Sequence, residues 1–390
     1  MQEDQFDVVI TGGGMVGAAL ACGLARHQFK VAVIEHQTPA AFSPESLPDV
    51  RISAIGCASV ALLKELEVWQ AITAMRCVPY RRLETWEWEN AHAIFDAESL
   101  GLPELGFMVE NSVLQWALWE KMQQQGITLL CPATLKSSHY QDDSWTLTLD
   151  NGQQIRTRML VGADGANSQV RRIAGIGVSG WEYSQSCMLI SVRCEQLPGD
   201  STWQQFTPSG PRAFLPLFDN YASLVWYDSV ERIRQLSKMP SAQLTQEIAA
   251  HFPARLGKVE VLSAGSFPLT RRHASQYVRP GLALVGDAAH TINPLAGQGV
   301  NLGYRDVDVL IDVLAEARQQ GRDWWQLSVL NRYQRKRYPD NLLMQSGMDL
   351  FYTAFSNRNH PLTVVRNLGL MVAQRGGWLK KKVLSYALGL

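Results

Sequence analysis

Three glycines near the amino terminus, Gly12, Gly14 and Gly17, have the spacing of a turn that binds a dinucleotide pyrophosphate. An apolar run at residues 6–11 precedes them, an apolar-periodic stretch follows, and a second apolar run ends at Glu35. In such a strand–turn–helix–strand unit, the glycines allow a tight turn, close approach of the phosphates and close packing of the helix on the strand. The helix start adds unpaired N–H groups and a positive dipole end. Because Glu35 suits a ribose diol and would repel a ribose phosphate, the unit predicts FAD or NAD rather than NADP.

The residues assigned to this turn are Gly12, Gly14, Met15, Val16 and Gly17. The same glycine spacing recurs at Gly175, Gly177 and Gly180, but there it follows a helix-like stretch and no helical pattern comes after it. A helix that ends at a glycine and leads into a turn explains the second copy better than a cofactor site does.

Two dipeptides that combine an aspartate with a glycine each follow an apolar run typical of a strand. They are Asp164-Gly165 and Gly286-Asp287. A carboxylate at the end of a buried strand is placed to accept hydrogen bonds from ribose or ribitol hydroxyls. For Asp164, a tight turn after the strand explains the residue types equally well, so both interpretations stay open. Arg51 is also ambiguous: it stands before a helix predicted from residue 52, either as a surface charge or as a bidentate ligand of the pyrophosphate.

A proline- and glycine-bearing segment follows Asp287 and leads into a helix. Its residues predicted to border a cofactor are Pro294, Gly297, Gln298, Gly299, Val300 and Asn301. A helix start beside a flavin ring would place backbone N–H groups and positive potential where reduced flavin carries negative charge. An ordinary strand-to-helix loop is the alternative. His290, in the same segment, is interpreted as a hydrogen-bonded structural residue, with a proton shuttle as the alternative.

The elements that position these residues divide the chain into interleaved domains. Patterns of the nucleotide-binding kind occupy residues 1–77, 97–180 and 269–355. Alternating apolar segments at residues 78–96 and 181–268 predict an antiparallel sheet with a helix, inserted as a substrate domain. Residues 356–390 are predicted to form a basic amphipathic helical tail. The predicted fold class is α/β: a Rossmann-like FAD-binding fold with an interleaved antiparallel β-sheet domain and C-terminal helices.

Composition excludes several classes of protein. The 390 residues contain 36 basic and 36 acidic side chains, so the net charge favours neither nucleic acid nor an acidic partner. A hydrophobic content of 46% supports a sizeable core. Six scattered cysteines without metal-like spacing predict reduced thiols, a cytoplasmic location and no metal site. The polar, acidic start predicts no signal peptide, and no apolar run approaches the roughly 20 residues that span a bilayer.

These motifs together resemble the aromatic hydroxylase family of flavoprotein monooxygenases, typified by para-hydroxybenzoate hydroxylase, over essentially the whole chain. The residues that carry the resemblance are the three glycines with Glu35, Asp164-Gly165 and Gly286-Asp287. Within the family, residues 290–299 and Asn301-Leu302-Gly303 are most similar to the ubiquinone-biosynthesis hydroxylases. Residues 79–86 and 201–206 resemble one bacterial member of that group.

The resemblance implies a role for each motif. The glycine turn and Arg51 would hold the FAD pyrophosphate, Glu35 the adenosine ribose and Asp287 the ribitol-pyrophosphate region. The segment from Pro294 to Gly299 would border the isoalloxazine, and Asp164-Gly165 would serve both FAD and NAD(P)H. NADH or NADPH would be a transient electron donor and O2 a co-substrate. The implied reaction is ring hydroxylation by a flavin C4a-hydroperoxide, for which the protein supplies orientation and exclusion of water.

The implied substrate is a polyprenylated benzoquinol, hydroxylated at the position that later carries a methoxy group. The residues predicted to line an apolar pocket for it are Phe214, Leu215, Pro216, Leu217 and Pro294. Two alternatives stay open for the function: a flavin reductase or dehydrogenase of a prenylated substrate, and a non-catalytic flavoprotein subunit of a quinone-biosynthesis assembly.

So apolar a substrate requires contact with a membrane surface or a lipid-binding carrier. From residue 361 to 390 the chain contains five basic residues and no acid. Its lysines suit anionic headgroups, and its leucines with Trp378 suit the membrane interface. We therefore predict a protein peripherally associated with the inner membrane. Packing of the tail on its own domain, or on another ubiquinone-biosynthesis protein, is the alternative.

Overall fold

The computed structural model describes residues 4–88, 91–292 and 299–355. Its strands are β1 (Asp4–Thr11), β2 (Val31–Ile34), β3 (Ile52–Gly56), β4 (Val78–Tyr80), β5 (Arg82–Trp86), β6 (His92–Asp96), β7 (Gly106–Glu110), β8 (Thr128–Leu130), β9 (Leu135–Gln141), β10 (Ser144–Leu149), β11 (Gln154–Gly162), β12 (Val178–Cys194), β13 (Ser201–Gln205), β14 (Arg212–Pro216), β15 (Tyr221–Ser229), β16 (Val259–Ala274), β17 (Val278–Arg279), β18 (Leu282–Leu284) and β19 (His290–Thr291). Its helices are α1 (Met15–Arg26), α2 (Cys57–Glu65), α3 (Trp69–Met75), α4 (Asn111–Gln124), α5 (Gln169–Ile173), α6 (Val230–Leu236), α7 (Ser241–His251), α8 (Gly299–Gln319) and α9 (Leu327–Phe355).

The first sheet carries the nucleotide-binding pattern. Its strands run in the order β17-β18-β11-β1-β2-β8, and β9 and β10 extend it as an antiparallel hairpin against β11. Strand β1 lies between β2 and β11, parallel to both, and β8 is parallel to β2. All four residues of β2 are buried, as expected for a parallel strand covered on both faces. Helix α1 packs against α4 and α8 beside this sheet.

The second sheet has the strand order β19-β16-β12-β15-β14-β13-β5-β6 and is antiparallel except for the β5–β13 pair. Helices α6 and α7 cover one of its faces through a core that includes Trp86, Trp203 and Trp226. This confirms the predicted antiparallel strands. Trp86 lies in that core, whereas Trp88, which follows the end of β5, is exposed. The boundaries of the two domains stay a prediction.

A small third sheet, in the order β3-β7-β4, corrects one expectation. The helix predicted from residue 52 is wrong, because Ile52–Gly56 is a strand that pairs antiparallel with β7 and the helix begins only at Cys57. The apolar residues Ile52 and Ile55 fit a helical face, yet backbone pairing with a distant strand decides the structure. The one helix predicted for the inserted domain is likewise divided into α6 and α7, with Pro240 immediately before the second. Gly175 ends α5 in a turn, which confirms the interpretation of the second glycine copy.

Helix α9 is held on the second sheet by a buried polar contact. The ring of His273, only 4% exposed, bonds through Nδ1 to Oε1 of Gln345 at 2.8 Å. The Gln345 amide also donates to the carbonyl oxygens of Arg272 and Thr291, at 2.9 and 3.0 Å. Burial lowers the pKa of His273 to about 4. The histidine is therefore neutral in the folded protein over most of the accessible pH range.

This contact predicts a specific acid sensitivity. Unfolded chains protonate histidine near pH 6.5, whereas folded His273 resists protonation down to about pH 4, so its contribution to stability is full above pH 6.5 and is lost as pH falls from 6.5 to 4. The pKa difference corresponds to roughly 3 kcal/mol of unfolding free energy. We expect His273→Asn, which keeps a donor near the Nδ1 position, to show a smaller loss of melting temperature between pH 7 and pH 4.5. The exposed His139→Asn is the control, and an unchanged pH profile for His273→Asn contradicts the prediction.

Candidate active site

A cleft of about 760 Å³ opens at the carboxyl ends of the central parallel strands, where Thr11 ends β1, Glu35 follows β2 and Ala163 follows β11. This edge of a parallel sheet is where α/β folds bind nucleotides. Among the predicted site residues, the following line the cleft: Gly12, Gly14, Glu35, Arg51, Asp164 and Gly165. The structure thus brings together motifs that lie far apart in the sequence.

The three glycines of the first turn meet three different surroundings. Gly12 has a φ of +103°, and a Cβ there would lie 2.4 Å from the carbonyl oxygen of Ala163. A Cβ on Gly17 would lie 1.9 Å from the carbonyl oxygen of Gly12, so α1 can approach β1 only without a side chain at this position. At Gly14, by contrast, nothing lies within 4 Å of a Cβ. The open position faces the start of α1, which has no side-chain cap, so its first N–H groups are available to an anion.

Glu35 is largely buried and already belongs to the turn. Its Oε2 accepts from the backbone N–H of Gly13 at 2.6 Å, and its Oε1 accepts from that of His36 at 2.8 Å. A carboxylate has about four lone-pair positions, so it can still accept from a ribose diol in the cleft. Sequence patterns missed the other supports of the turn: Gln115 and Trp119 of α4 both donate to the carbonyl oxygen of Gly13, at 3.2 and 2.7 Å. These contacts join residues too distant in sequence for local patterns to reveal.

The turn that carries Asp287 lies against the first turn. Gly286 has a φ of +57°, and a Cβ there would lie 3.2 Å from Cγ1 of Val16. The side chain of Asp287 is exposed although its neighbours on both sides are buried. Desolvation raises the pKa of Asp287, and the positive charges of His290 and Arg51 oppose this rise. The exposure and the desolvation together fit a carboxylate in a recess that is open to solvent on one side, with Arg51 within electrostatic range.

Asp164 caps the helix that follows it. Its carboxylate accepts from Ser168 Oγ at 2.5 Å and from the backbone N–H groups of Gln169 and Val170 at 2.6 and 3.1 Å. Gly165 has a φ of +76° and open space at its Cβ position. The structure therefore contains the tight turn that was one of the two interpretations. Because the cleft also reaches both residues, a cofactor role for them stays a prediction.

Helix α8 begins at the edge of the described segment. Gly299 has open space around its Cβ position, whereas Val300 is buried in the core of the first sheet. The Asn301 amide is occupied by protein: its Oδ1 accepts from Gly56 N at 3.0 Å and Ser59 Oγ at 2.7 Å, and its Nδ2 donates to Ala54 O at 2.8 Å. Asn301 would therefore contact a cofactor through its backbone rather than through its side chain. Pro294, Gly297 and Gln298, which were predicted to border the ring, lie outside the described residues.

The predicted substrate-pocket residues do not share one surface. Strand β14 alternates, so Phe214 faces the core below α6 and α7, where it stacks on Trp203 with ring centroids 5.4 Å apart. Leu215 and Leu217 face the opposite side, with Tyr80 and Met108. The expectation that all four of residues 214–217 line one wall is corrected by this period of two. Leu215 and Leu217 stay predicted pocket residues, together with Pro294.

A buried ion pair supports the loop that leads to Arg51. The guanidinium of Arg76 lies 3.3 Å from Glu110, and the two side chains are 7% and 4% exposed. Arg76 also donates to the carbonyl oxygens of Ser43, Pro44 and Ser46, at 3.2, 2.6 and 2.5 Å. Glu110 accepts from the backbone N–H of Asp49 at 2.8 Å. The pair therefore fixes the second half of the loop between β2 and β3.

The arrangement fits a flavin dinucleotide. The open position at Gly14, the uncapped helix start and the carboxylate of Glu35 converge on one cleft. Residues 5–341 match the family model described as an FAD binding domain, and the chain belongs to this family. Among the described residues, no group of three or more His, Cys, Asp or Glu is placed to hold a metal ion.

Known proteins resemble the chain over its full length. It is 66% identical to the 3-demethoxyubiquinol 3-hydroxylase of Escherichia coli (strain K12), covering 100% of both chains. It is 36% identical to the ubiquinone hydroxylase UbiL of Rhodospirillum rubrum, covering 98% of this chain and 89% of that one. The crystal structure of p-nitrophenol 4-monooxygenase PnpA from Pseudomonas putida DLL-E4 has the same fold, with a TM-score of 0.82, 19% identity, and coverage of 99% and 98%. These findings confirm the predicted fold class, the FAD cofactor and the enzyme class, an FAD-dependent monooxygenase.

Proposed function

We propose that the protein hydroxylates the aromatic ring of a polyprenylated benzoquinol in ubiquinone biosynthesis, at the step from demethoxyubiquinol to demethylubiquinol. The observation that carries the proposal is the 66% identity, without uncovered segments on either side, to a 3-demethoxyubiquinol 3-hydroxylase. When bound, FAD supplies the activation of dioxygen, with NADH or NADPH as the electron donor that is general for this class.

The protein's own residues would provide binding and orientation. The glycine turn and the start of α1 would hold the pyrophosphate, and Glu35 would hold the adenosine ribose, since both lie in the same cleft. Asp287 would accept hydrogen bonds from the ribitol region, with Arg51 close enough to balance phosphate charge. The N–H groups at the start of α8 would face the ring and favour its anionic reduced form. The second sheet would supply an apolar wall through Leu215 and Leu217.

The quinone profile of cells that lack this protein tests the proposed step. We expect demethoxyubiquinone to accumulate and ubiquinone to return when the wild-type chain is supplied. An earlier, non-hydroxylated intermediate would assign the chain to another hydroxylation, and an unchanged profile would contradict the proposal. With purified protein, quinol-dependent consumption of O2 in proportion to NAD(P)H separates hydroxylation from a reductase or dehydrogenase reaction. A colourless protein that takes up no FAD would favour a non-catalytic subunit.

We propose that the protein associates peripherally with the inner membrane through residues 356–390. In the part of the chain that the structure describes, no helix is long and apolar enough to cross a membrane. The sequence from residue 361 to 390 carries Arg366, Arg375, Lys380, Lys381 and Lys382 without an acid. Sedimentation with anionic vesicles should exceed that with neutral vesicles, and replacing the three lysines by glutamine should remove the difference. Equal sedimentation with both vesicles would favour docking on the chain itself or on a partner protein.

A further inference from the structure

Asp306 of α8 is a fully buried carboxylate that joins three elements. Its Oδ2 accepts from the backbone N–H of Gly286 at 3.1 Å and from Nε2 of His290 at 2.5 Å. Its Oδ1 accepts from Nε of Arg337 at 2.8 Å and from Nδ2 of Asn341 at 3.1 Å. One oxygen therefore serves only the segment around Asp287, and the other serves only α9.

The charge of Asp306 is well compensated. Burial by itself would raise the pKa of this carboxyl, but His290 and Arg337 outweigh that effect and lower the pKa to about 2. The carboxylate is thus ionised at physiological pH. Because an ionised carboxylate can only accept hydrogen bonds, the Nε2 atom of His290 must carry a proton. A buried charge is costly to desolvate and is retained only where hydrogen bonds of good geometry surround it. Four donors meet this condition here.

The orientation of Asp287 depends on this arrangement. Among the described residues, the Asp287 carboxylate has no hydrogen-bond partner of its own, so its direction follows from the backbone of the turn. That turn is a single 3-10 turn, Gly286–Ala288, with a left-handed φ at Gly286. Asp306 holds its first N–H directly and holds His290 just beyond it. Because Asp306 belongs to the helix that starts at Gly299, it also fixes the spacing between this turn and the start of α8.

We propose that Asp306 is a positioning residue for FAD: its buried carboxylate sets the turn so that Asp287 meets the ribitol-pyrophosphate region of the cofactor. Through Arg337 and Asn341 it also ties the position of that turn to α9, the helix that packs on the second sheet through Gln345. The inference rests on the FAD cofactor of the family and on the predicted role of Asp287. It does not depend on which ring the enzyme hydroxylates.

The rate of FAD dissociation from the purified holoenzyme, followed by the fluorescence of released flavin after dilution, tests the proposal. We expect Asp306→Asn and Asp287→Asn each to release FAD at least tenfold faster than wild type. The double variant should be no more than twofold faster than the faster single variant, because both changes disable one contact. A merely structural role for Asp306 predicts instead that the two effects multiply. A wild-type rate in either single variant, or multiplying effects, overturns the proposal.

Asp340→Asn is the matched control. Asp340 also pairs with Arg337, at 2.5 Å, but does not touch the turn, so its variant should release FAD within twofold of the wild-type rate. If Asp306→Asn fails to fold by circular dichroism, His290→Ala replaces it, since this change removes one donor to Asp306 and leaves the pair with Arg337 intact. We expect His290→Ala to release FAD severalfold faster, without multiplying the effect of Asp287→Asn. A wild-type rate for His290→Ala would overturn the proposal.

Discussion

Gly14→Val is expected to fold and to carry no FAD. Gly14 has an ordinary φ of −68°, which valine adopts without strain, and nothing lies within 4 Å of the position where a Cβ would be placed. The folded protein therefore has room for the new side chain, apart from a modest loss at the helix cap of roughly 1 kcal/mol. The same room is where the pyrophosphate must approach the start of α1. Valine would occupy it, so binding should fail although the fold persists.

The measurement is the flavin absorbance of the purified protein together with its melting temperature. We expect loss of the flavin bands and at least a hundredfold loss of NAD(P)H oxidation, with circular dichroism like that of wild type. Gly17→Val is the contrasting variant: its Cβ would lie 1.9 Å from the carbonyl oxygen of Gly12, so we expect it not to fold. A yellow Gly14→Val protein with a full complement of FAD would show that the pyrophosphate lies elsewhere.

The sequence predicted the glycine turn because its signals are local. A buried strand, three glycines, a helix and an acid lie within residues 6–35, and each has a short-range physical cause. The antiparallel strands of the second sheet were predicted for the same reason, since alternation shows within five or six residues. The hairpin of β10 and β11 likewise has a local signal, because the turn residues Asp150, Asn151 and Gly152 lie between its strands.

The strand at Ile52–Gly56 shows where local signals end. Its apolar residues are compatible with a helical period and with a strand period. The choice depends on pairing with β7, which is separated from it in the chain by two helices and three strands. The alternation at residues 214–217 was also blurred, because an unbroken apolar run hides which side chains share a face. Phe214 and Leu215 therefore looked equivalent, although they face opposite sides of the sheet.

The residues that hold the motifs in place could not be predicted from the sequence. Trp119 holds the glycine turn, Asp306 holds the turn of Asp287, and Arg76 holds the loop before Arg51. Each contact joins residues distant in the chain, and each residue type is common in ordinary helices and strands. Motifs identify residues that would touch the cofactor. The residues that orient those motifs emerge only from the folded structure.

Arg76→Met is expected to destabilise the fold by about 3–5 kcal/mol at neutral pH, because it leaves the Glu110 carboxylate buried without its cation. The change also removes the donor that serves the carbonyl oxygens of Ser43, Pro44 and Ser46. Urea unfolding followed by circular dichroism measures the loss. Lys258→Met is the control. Lys258 pairs with Glu195, and the two side chains are 86% and 60% exposed, so this variant should lose less than about 1 kcal/mol of unfolding free energy.

The pH dependence of this loss identifies its cause. Burial raises the pKa of Glu110 above its usual 4.5, so the stability that its protonated form provides is full below pH 4.5 and is lost as pH rises through the folded pKa. Removing Arg76 takes away a charge that opposes this rise. The destabilisation by Arg76→Met should therefore be larger at pH 8 than at pH 5, where protonation of Glu110 relieves the unpaired charge.

Glu110→Gln in the Arg76→Met background should recover part of the stability at pH 8, because the amide carries no charge and can still accept from Asp49 N. A loss that is the same at both pH values would assign the effect to packing against Phe42 and Phe218 rather than to the buried charge.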